Sequence, residues 1–182
     1  MRFTAVHPEI GLRFVPLNFI GEMESIDADI SICWAKEGLI DAPHERLFAC
    51  PACPTGNSYI ADKVRKEGLD NVILSTPLLL DSSESTGWQD WFDLAGLDFS
   101  QSQKGLSIAD SNSRVQAVID GQGIALWDLL VAPEVSSGRL HYLSDIWLDD
   151  YGYYVQAKKS NLESKAVGLF LNWLRDESMD AN

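Results

Sequence analysis

The sequence predicts an α/β fold, and three observations carry that prediction. First, Leu106 to Trp127 reads as strand, polar loop, helix and strand in immediate succession, a unit of a parallel α/β sheet. Second, strand-like and helix-like stretches keep alternating along the rest of the 182 residues. Third, 46% of the residues are hydrophobic, with six Trp and seven Phe, which suffices for a real core in one domain or two small lobes.

The Leu106–Trp127 unit organises the chain. A short apolar strand ends at Ala109, and Asp110-Ser111-Asn112-Ser113 follows it. Side chains of Asp, Ser and Asn accept hydrogen bonds from the unpaired amides of a first helical turn, so this run marks a helix start. The helix is expected over about Ser113 to Asp120, with Val115, Val118 and Ile119 on the buried side. Gly121 takes the left-handed conformation that closes a helix, and a second buried strand, Ile124 to Trp127, comes straight after. Ligands of such sheets sit where strands end and capped helices begin, which makes the Asp110–Ser113 loop the first site candidate. Ser111 and Ser113 read equally as ligand contacts or as plain helix caps.

From the N-terminus, Arg2 to Val6 reads as the end of a helix stopped at His7-Pro8, since proline disfavours helix in the residue before it. Ile10 to Leu17 reads as a strand, Ile20 to Ile26 as one or two helical turns, and the alternating Asp29 to Trp34 as a second strand. Gly38 to Glu45 is loop and Arg46 to Cys50 a third strand, ending at Pro51. Asn57 to Glu67 has the caps and charges of an exposed helix, closed by Gly68. Val72 to Leu80 is an apolar run broken by Ser75-Thr76-Pro77, with a strand at Leu78–Leu80. The polar Asp81–Gly87 loop follows; its Asp81-Ser82-Ser83 start reads equally as ligand contact or as solvated loop. Trp88, Trp91, Phe92 and Ala95 share one face of an amphipathic helix ending at Gly96, and core is the plainer reading of that face. After the organising unit come a helix around Asp128–Glu134, a turn and strand at Ser136–Leu140, a strand at Tyr151–Ala157, and a terminal helix over Lys165–Glu177. That last helix carries Val167, Phe170, Leu171 and Leu174 on one face.

The net charge of −13, from 14 basic and 27 acidic residues, argues against this chain gripping phosphate backbones or an anionic membrane surface. No apolar run reaches the ~18 residues of a membrane span, and the N-terminus lacks the apolar core of a signal peptide. Three cysteines cannot all pair, so a reducing cytoplasm is the easier reading. Cys50-Pro-Ala-Cys53 has the spacing of a redox pair, but Pro54 and Gly56 favour a loop over the helix such a pair needs. With Cys33 and His44 it would supply four zinc ligands at a spacing no zinc pattern uses. Two ordinary thiols are the plainer reading. Gly121-Gln-Gly123 joins helix to strand, the reverse of a dinucleotide fingerprint, and lacks its third glycine. His7, His44 and His141 fall in no paired arrangement, and neither a nucleophile elbow nor a phosphate loop occurs.

Several stretches, in order, resemble one family: the effector-binding domain of LysR-type transcriptional regulators, in its glycine-cleavage-activator-like branch. Arg2-Phe3 and His7-Pro8-Glu9-Ile10 resemble its run into the second strand, and Asp27-Ala-Asp-Ile-Ser-Ile32 its "DADIAI" strand. Leu47 to Pro54 resembles the strand crossing into the second lobe. Trp88-Gln-Asp-Trp-Phe92 with Ala95-Gly96-Leu97 resembles the "W-x-x-W…AGL" helix, and Ala117 with Gly121-Gln-Gly-Ile-Ala-Leu126 the "AA…G-x-G-x-AL" unit. Gly138-Arg-Leu140, Tyr153-Tyr154, and Phe170 with Trp173-Leu174 complete the series.

The resemblance implies two Rossmann-like α/β lobes joined by crossover segments, as in type 2 periplasmic binding proteins. It assigns 1–53 with 150–182 to the first lobe and 54–149 to the second, with a small effector in the cleft between them. Matched by position, the ligand-binding residues are Trp34, Asp81, Ser82, Ser111, Ser113, Gly123 and Ala125, with no catalytic residue, metal or cofactor. The family's winged helix-turn-helix and linker helix have no counterpart here, and the match begins inside the first helix, so the first lobe is expected to lack its first strand. Cys33-Trp34 stands where branch relatives often carry Arg. The expected function is effector sensing and homodimerisation in transcription control, with an amino acid or organic acid as effector and DNA reached only through the missing N-terminal domain. A cytoplasmic solute-binding protein of the same fold is the alternative, and a redox or metal module at Cys50 and Cys53 a distant third.

Overall fold

The computed structural model describes residues 2–16, 27–39, 44–82, 86–99 and 104–179. The chain divides into two compact units, one from 1–50 with 150–182 and one from 51–149.

In the first unit, strand β1 (Ile30–Lys36) and strand β2 (Glu45–Ala49) both pair antiparallel with a strand from the far end of the chain, Tyr151–Ala157. That returning strand lies in the middle of the three. The alternation at Asp29–Trp34 therefore marks a real strand, which starts one residue later and ends two residues later than expected. Helix α1 (Arg2–Val6) buries Phe3, whose ring meets Phe170 edge-on at 5.1 Å and Trp173 at 5.5 Å on the terminal helix, Lys165–Met179. That contact follows from the apolar stripe of the terminal helix.

The expected strand at Ile10–Leu17 is not formed over its described part. Residues 11–16 carry no regular structure, and Phe14 is 70% exposed. Alternation supplies a face but no ladder partner, and an extended segment without one is not a strand. The turns expected at Ile20–Ile26 and the position of Ser83 lie outside the described residues.

The second unit is a five-stranded mixed sheet. Strand β3 (Cys53–Gly56) opens it, followed by α2 (Ser58–Glu67), α3 (Leu69–Ser75), β4 (Leu78–Leu80), α4 (Gly87–Ala95), β5 (Lys104–Ser107), α5 (Ser111–Ile119) and β6 (Ile124–Trp127). A 3-10 turn at Leu129–Val131, helix α6 (Ala132–Ser136) and β7 (His141–Tyr142) complete it. In chain order the returning strand of the first unit is then β8 and the terminal helix α7. The sheet order is β5-β4-β6-β3-β7; β5 and β6 run parallel to β4, while β3 is antiparallel to β6 and β7.

The local signals explain most of these elements. Asn57 accepts from the Ile60 amide at 3.0 Å and caps α2, while its Nδ2 donates to the Ile119 carbonyl at 3.1 Å, tying α2 to the end of α5. On α4, Trp88, Trp91 and Phe92 are buried, and both indoles donate to carbonyls, Trp88 to Leu79 and Trp91 to Ile146, each at 3.0 Å. Gly96 closes α4 at φ +69°. Helix α3 was not expected; its second half overlaps the start of the apolar run at Val72–Leu80. Its Val72 and Ile73 are fully buried, and the bond from Asn71 to the Glu67 carbonyl joins it to α2. Pro77 stops it, as proline should. The helix expected at Asp128–Glu134 forms as the 3-10 turn and the short α6, because Asp128 caps the turn through the Leu130 amide and Pro133 starts the helix. Cys50 lies just before the unit boundary and Cys53 opens a strand, so no helix starts at that pair.

Among the described residues, no helix is long and apolar enough to cross a membrane.

Candidate functional site

Three neighbouring parallel strands of the second unit end on one edge. Strand β4 runs into Asp81-Ser82, β5 into Ile108–Ser113, and β6 into Asp128. Carboxyl ends of parallel strands are where α/β sheets collect ligands, because the chain there turns away and leaves side chains and helix amides open. Asp81 and Ser82 lie half-buried at the middle strand, and the Asp81 carboxylate accepts from the Ser82 amide at 2.7 Å. Asp110, Ser111, Asn112 and Ser113 are exposed on one flank. Asp128 is buried on the other, its carboxylate accepting from the Leu130 amide at 2.8 Å, and the exposed Leu129 and Leu130 add apolar surface beside it.

Helix α5 starts two residues earlier than its spacing suggested, at Ser111, because Asp110 is the cap: its Oδ1 accepts from the Ser113 amide at 2.8 Å. The backbone and side-chain hydrogen bonds from Ser113 hold the Asp110 carboxyl below the usual carboxylate range. Strand β5 ends at Ser107 and not at Ala109, although the Ile108 amide still bonds the Leu80 carbonyl at 2.8 Å.

Sequence reasoning missed Arg114. It lies on the inward side of α5, 9% exposed, one turn before Val118 at the edge of the apolar face that the spacing identified. Its Nη1 donates to the Ile108 carbonyl at 2.5 Å and more loosely to Ala109 at 3.4 Å, and its guanidinium lies 4.7 Å from the centre of the Trp127 ring. A basic residue in a first helical turn is ordinarily read as a solvated charge. The only available hint was an aromatic at the end of the following strand.

The expected ligand residues do not all gather. Asp81, Ser82, Ser111 and Ser113 share the carboxyl edge. Gly123 does not: it precedes β6, at the amino end of the parallel strands, and a Cβ there would lie 2.3 Å from the Pro77 carbonyl oxygen. Ala125 is fully buried in mid-strand, in register with Leu79 and packed with Val118 and Leu140. Gly123 serves close strand approach and Ala125 serves the core. Both were grouped with the site because the resemblance matched them to it by position; the Gly121–Ala125 run enters β6 from its amino end and stops inside it. Trp34 belongs to the first unit. Its indole N–H donates to the Cys50 carbonyl at 2.8 Å, and its ring stacks on Tyr151 at 4.3 Å.

The cysteines offer little to redox or metal chemistry. All three are free and buried, and burial pushes the Cys33 thiol up to about 11 and the Cys53 thiol up to about 12, opposite to what a nucleophilic thiolate needs. No group of three or more His, Cys, Asp or Glu among the described residues could hold a metal ion.

Comparison with known proteins gives a consistent picture. The family model of the LysR substrate binding domain matches residues 1–179. The chain is 24% identical over 176 residues to the glycine cleavage system transcriptional activator of Escherichia coli K12, covering 94% of this chain and 57% of that protein. It therefore spans little more than half the length of that relative. Among solved structures it is similar to the effector domain of the transcriptional regulator AmpR of Pseudomonas aeruginosa, with a TM-score of 0.78 at 21% identity, over 99% of this chain and 86% of that one. It is also similar to full-length LysG of Corynebacterium glutamicum with its bound effector Arg, with a TM-score of 0.62 at 18% identity, over 88% of this chain and 55% of that one. These likenesses share the periplasmic-binding-protein-like α/β architecture built up above.

Proposed function

The chain belongs to the LysR substrate binding domain family, and from that premise we propose that it is the effector-sensing domain of a LysR-type transcriptional regulator. The family is one of transcriptional regulators and not of enzymes, and no catalytic role is proposed. The observation that carries the reading is the family match along residues 1–179, with the carboxyl edge of β4, β5 and β6 as its physical site. Asp81, Ser82, Ser111 and Ser113 are the proposed effector contacts of the second unit. Trp34 is a separate proposed contact, carried over from the family resemblance, on the first unit, where its indole N–H is held by the Cys50 carbonyl. The division into 1–50 with 150–182 and 51–149 supports treating the units as the two effector-domain lobes.

The effector is a small molecule, and amino acids and organic acids come first. LysG, with the same fold, holds arginine, which supports testing amino acids. The effector biases an equilibrium between arrangements of a homodimer in the cytoplasm, and a DNA-binding segment outside these 182 residues reads it out. The charge of −13 agrees with DNA contact lying elsewhere.

A thermal unfolding scan against a panel of amino acids and small organic acids tests the reading. A compound at 100 times its Kd stabilises the folded chain by about 2.7 kcal/mol and raises the midpoint visibly. One responding class, lost on Ser111→Ala with Ser113→Ala, is the expected result. A midpoint indifferent to every compound, in a chain that melts cooperatively, overturns it. A responding chain whose gene context encodes no DNA-binding partner points instead to a solute-binding protein of this fold.

A further inference from the structure

We infer that Arg114 is a positioning residue of the effector site, holding the Ile108–Ser113 segment in the conformation that presents Ser111 and Ser113. The inference rests on the sensing role proposed above and deepens it.

Arg114 is badly placed for the helix that carries it. It sits in the first turn of α5, where the helix dipole favours negative charge, and it is almost wholly buried. Burying a guanidinium is costly unless its donors are satisfied. Here they turn back on the chain just before the helix, to the carbonyls of Ile108 and Ala109. Those two peptides lead out of edge strand β5 into the Asp110 cap.

The second hold is on another strand. The guanidinium lies over Trp127, the last residue of β6, while β4 runs between β5 and β6. Arg114 thus references the end of β5 to the end of β6, across the strand that delivers Asp81 and Ser82. The Ile108 amide ties the start of the segment to the Leu80 carbonyl of β4, and the Asp110 cap fixes Ser113 within the helix, but neither ties the segment to β6. Arg114 does. A lysine cannot reproduce this, because it offers a point charge where the guanidinium offers a planar group that stacks and donates at once.

The test uses Arg114→Met and Arg114→Lys in the whole chain, with two readouts. Hydrogen exchange is followed over 108–113 and, as reference, over 58–67 of α2. Affinity is measured for whichever amino acid or organic acid raises the melting midpoint of the parent chain. The expected result is exchange over 108–113 faster by about tenfold or more in Arg114→Met with 58–67 unchanged, as for a local opening. Affinity falls by a similar factor, and Arg114→Lys lies between parent and Met in both. If Arg114→Met does not fold, Arg114→Lys against the parent chain carries the comparison. Unchanged exchange over 108–113 overturns the inference. So does faster exchange with unchanged affinity, which would leave Arg114 as packing alone. Failure of the sensing role shows differently, as a parent chain that responds to no compound.

Discussion

The two units use their sheets differently. In the second, Leu78–Leu80 of β4 are buried at every position and β6 nearly so, as expected of parallel strands covered on both faces. In the first, β1, β8 and β2 are antiparallel, and β1 and β2 are mostly half-buried. Both units leave large apolar side chains exposed, Phe14 and Ile32 in the first and Leu94 and Leu106 in the second, but the second also buries the aromatic residues of α4, which pack edge-on against each other. The difference teaches where rigidity lies. The carboxyl edge that carries the candidate site rests on the unit with the deeper core, and a site on a rigid sheet keeps its geometry when its loops move.

Four substitutions sharpen or break this contrast. The largest effect is expected for Trp91→Ala, which empties a fully buried site and strands the Ile146 carbonyl; it should lower stability by about 3–5 kcal/mol in a denaturant titration. A loss below about 1 kcal/mol would mean that the second unit's core is not the firmer of the two. Next is Gly123→Ala, whose methyl would press on the Pro77 backbone and force β4 and β6 apart. A loss of about 1–3 kcal/mol is expected, with no change in effector affinity beyond what the lost stability explains.

A smaller effect attends Asp110. Its folded-state carboxyl is depressed by the Ser113 bonds, so its contribution is present above the unfolded carboxylate pKa and is lost as pH falls through the lower folded value. The melting midpoint of the parent chain should therefore fall more on acidification than that of Asp110→Asn, which caps without titrating. Parallel acid profiles would show that the cap does not matter to the edge. The smallest effect belongs to Phe14→Ser in the first unit. An exposed ring on an unpaired segment should change stability by no more than about 0.5 kcal/mol, and a larger loss would reveal packing on that side.

The family match was legible from ordered, individually weak motifs, because a family's caps, turns and core faces recur in fixed order even at low identity. The candidate site was half legible. Strand ends and capping residues pointed to Asp81, Ser82, Ser111 and Ser113, because a polar run between two strands can only lie at a strand end. Gly123 and Ala125 came instead from the resemblance, matched by position, and they lie at the amino end of β6 and in its middle.

What the sequence determined by itself is local. Asn57 and Gly68 set α2, Trp88 to Gly96 set α4, and the spans of β6 and β8 could be read directly, since caps and periodicity act within a few residues. Tertiary structure decided whatever depends on a distant partner. It withheld a strand from the described part of Ile10–Leu17, made a helix of Leu69–Ser75 that runs into the start of an apolar stretch, and inserted β4 between β5 and β6. It also buried Arg114, because two carbonyls and the Trp127 face were there to receive it. Pairing and burial are properties of what lies across the sheet, and no window along the chain contains that information.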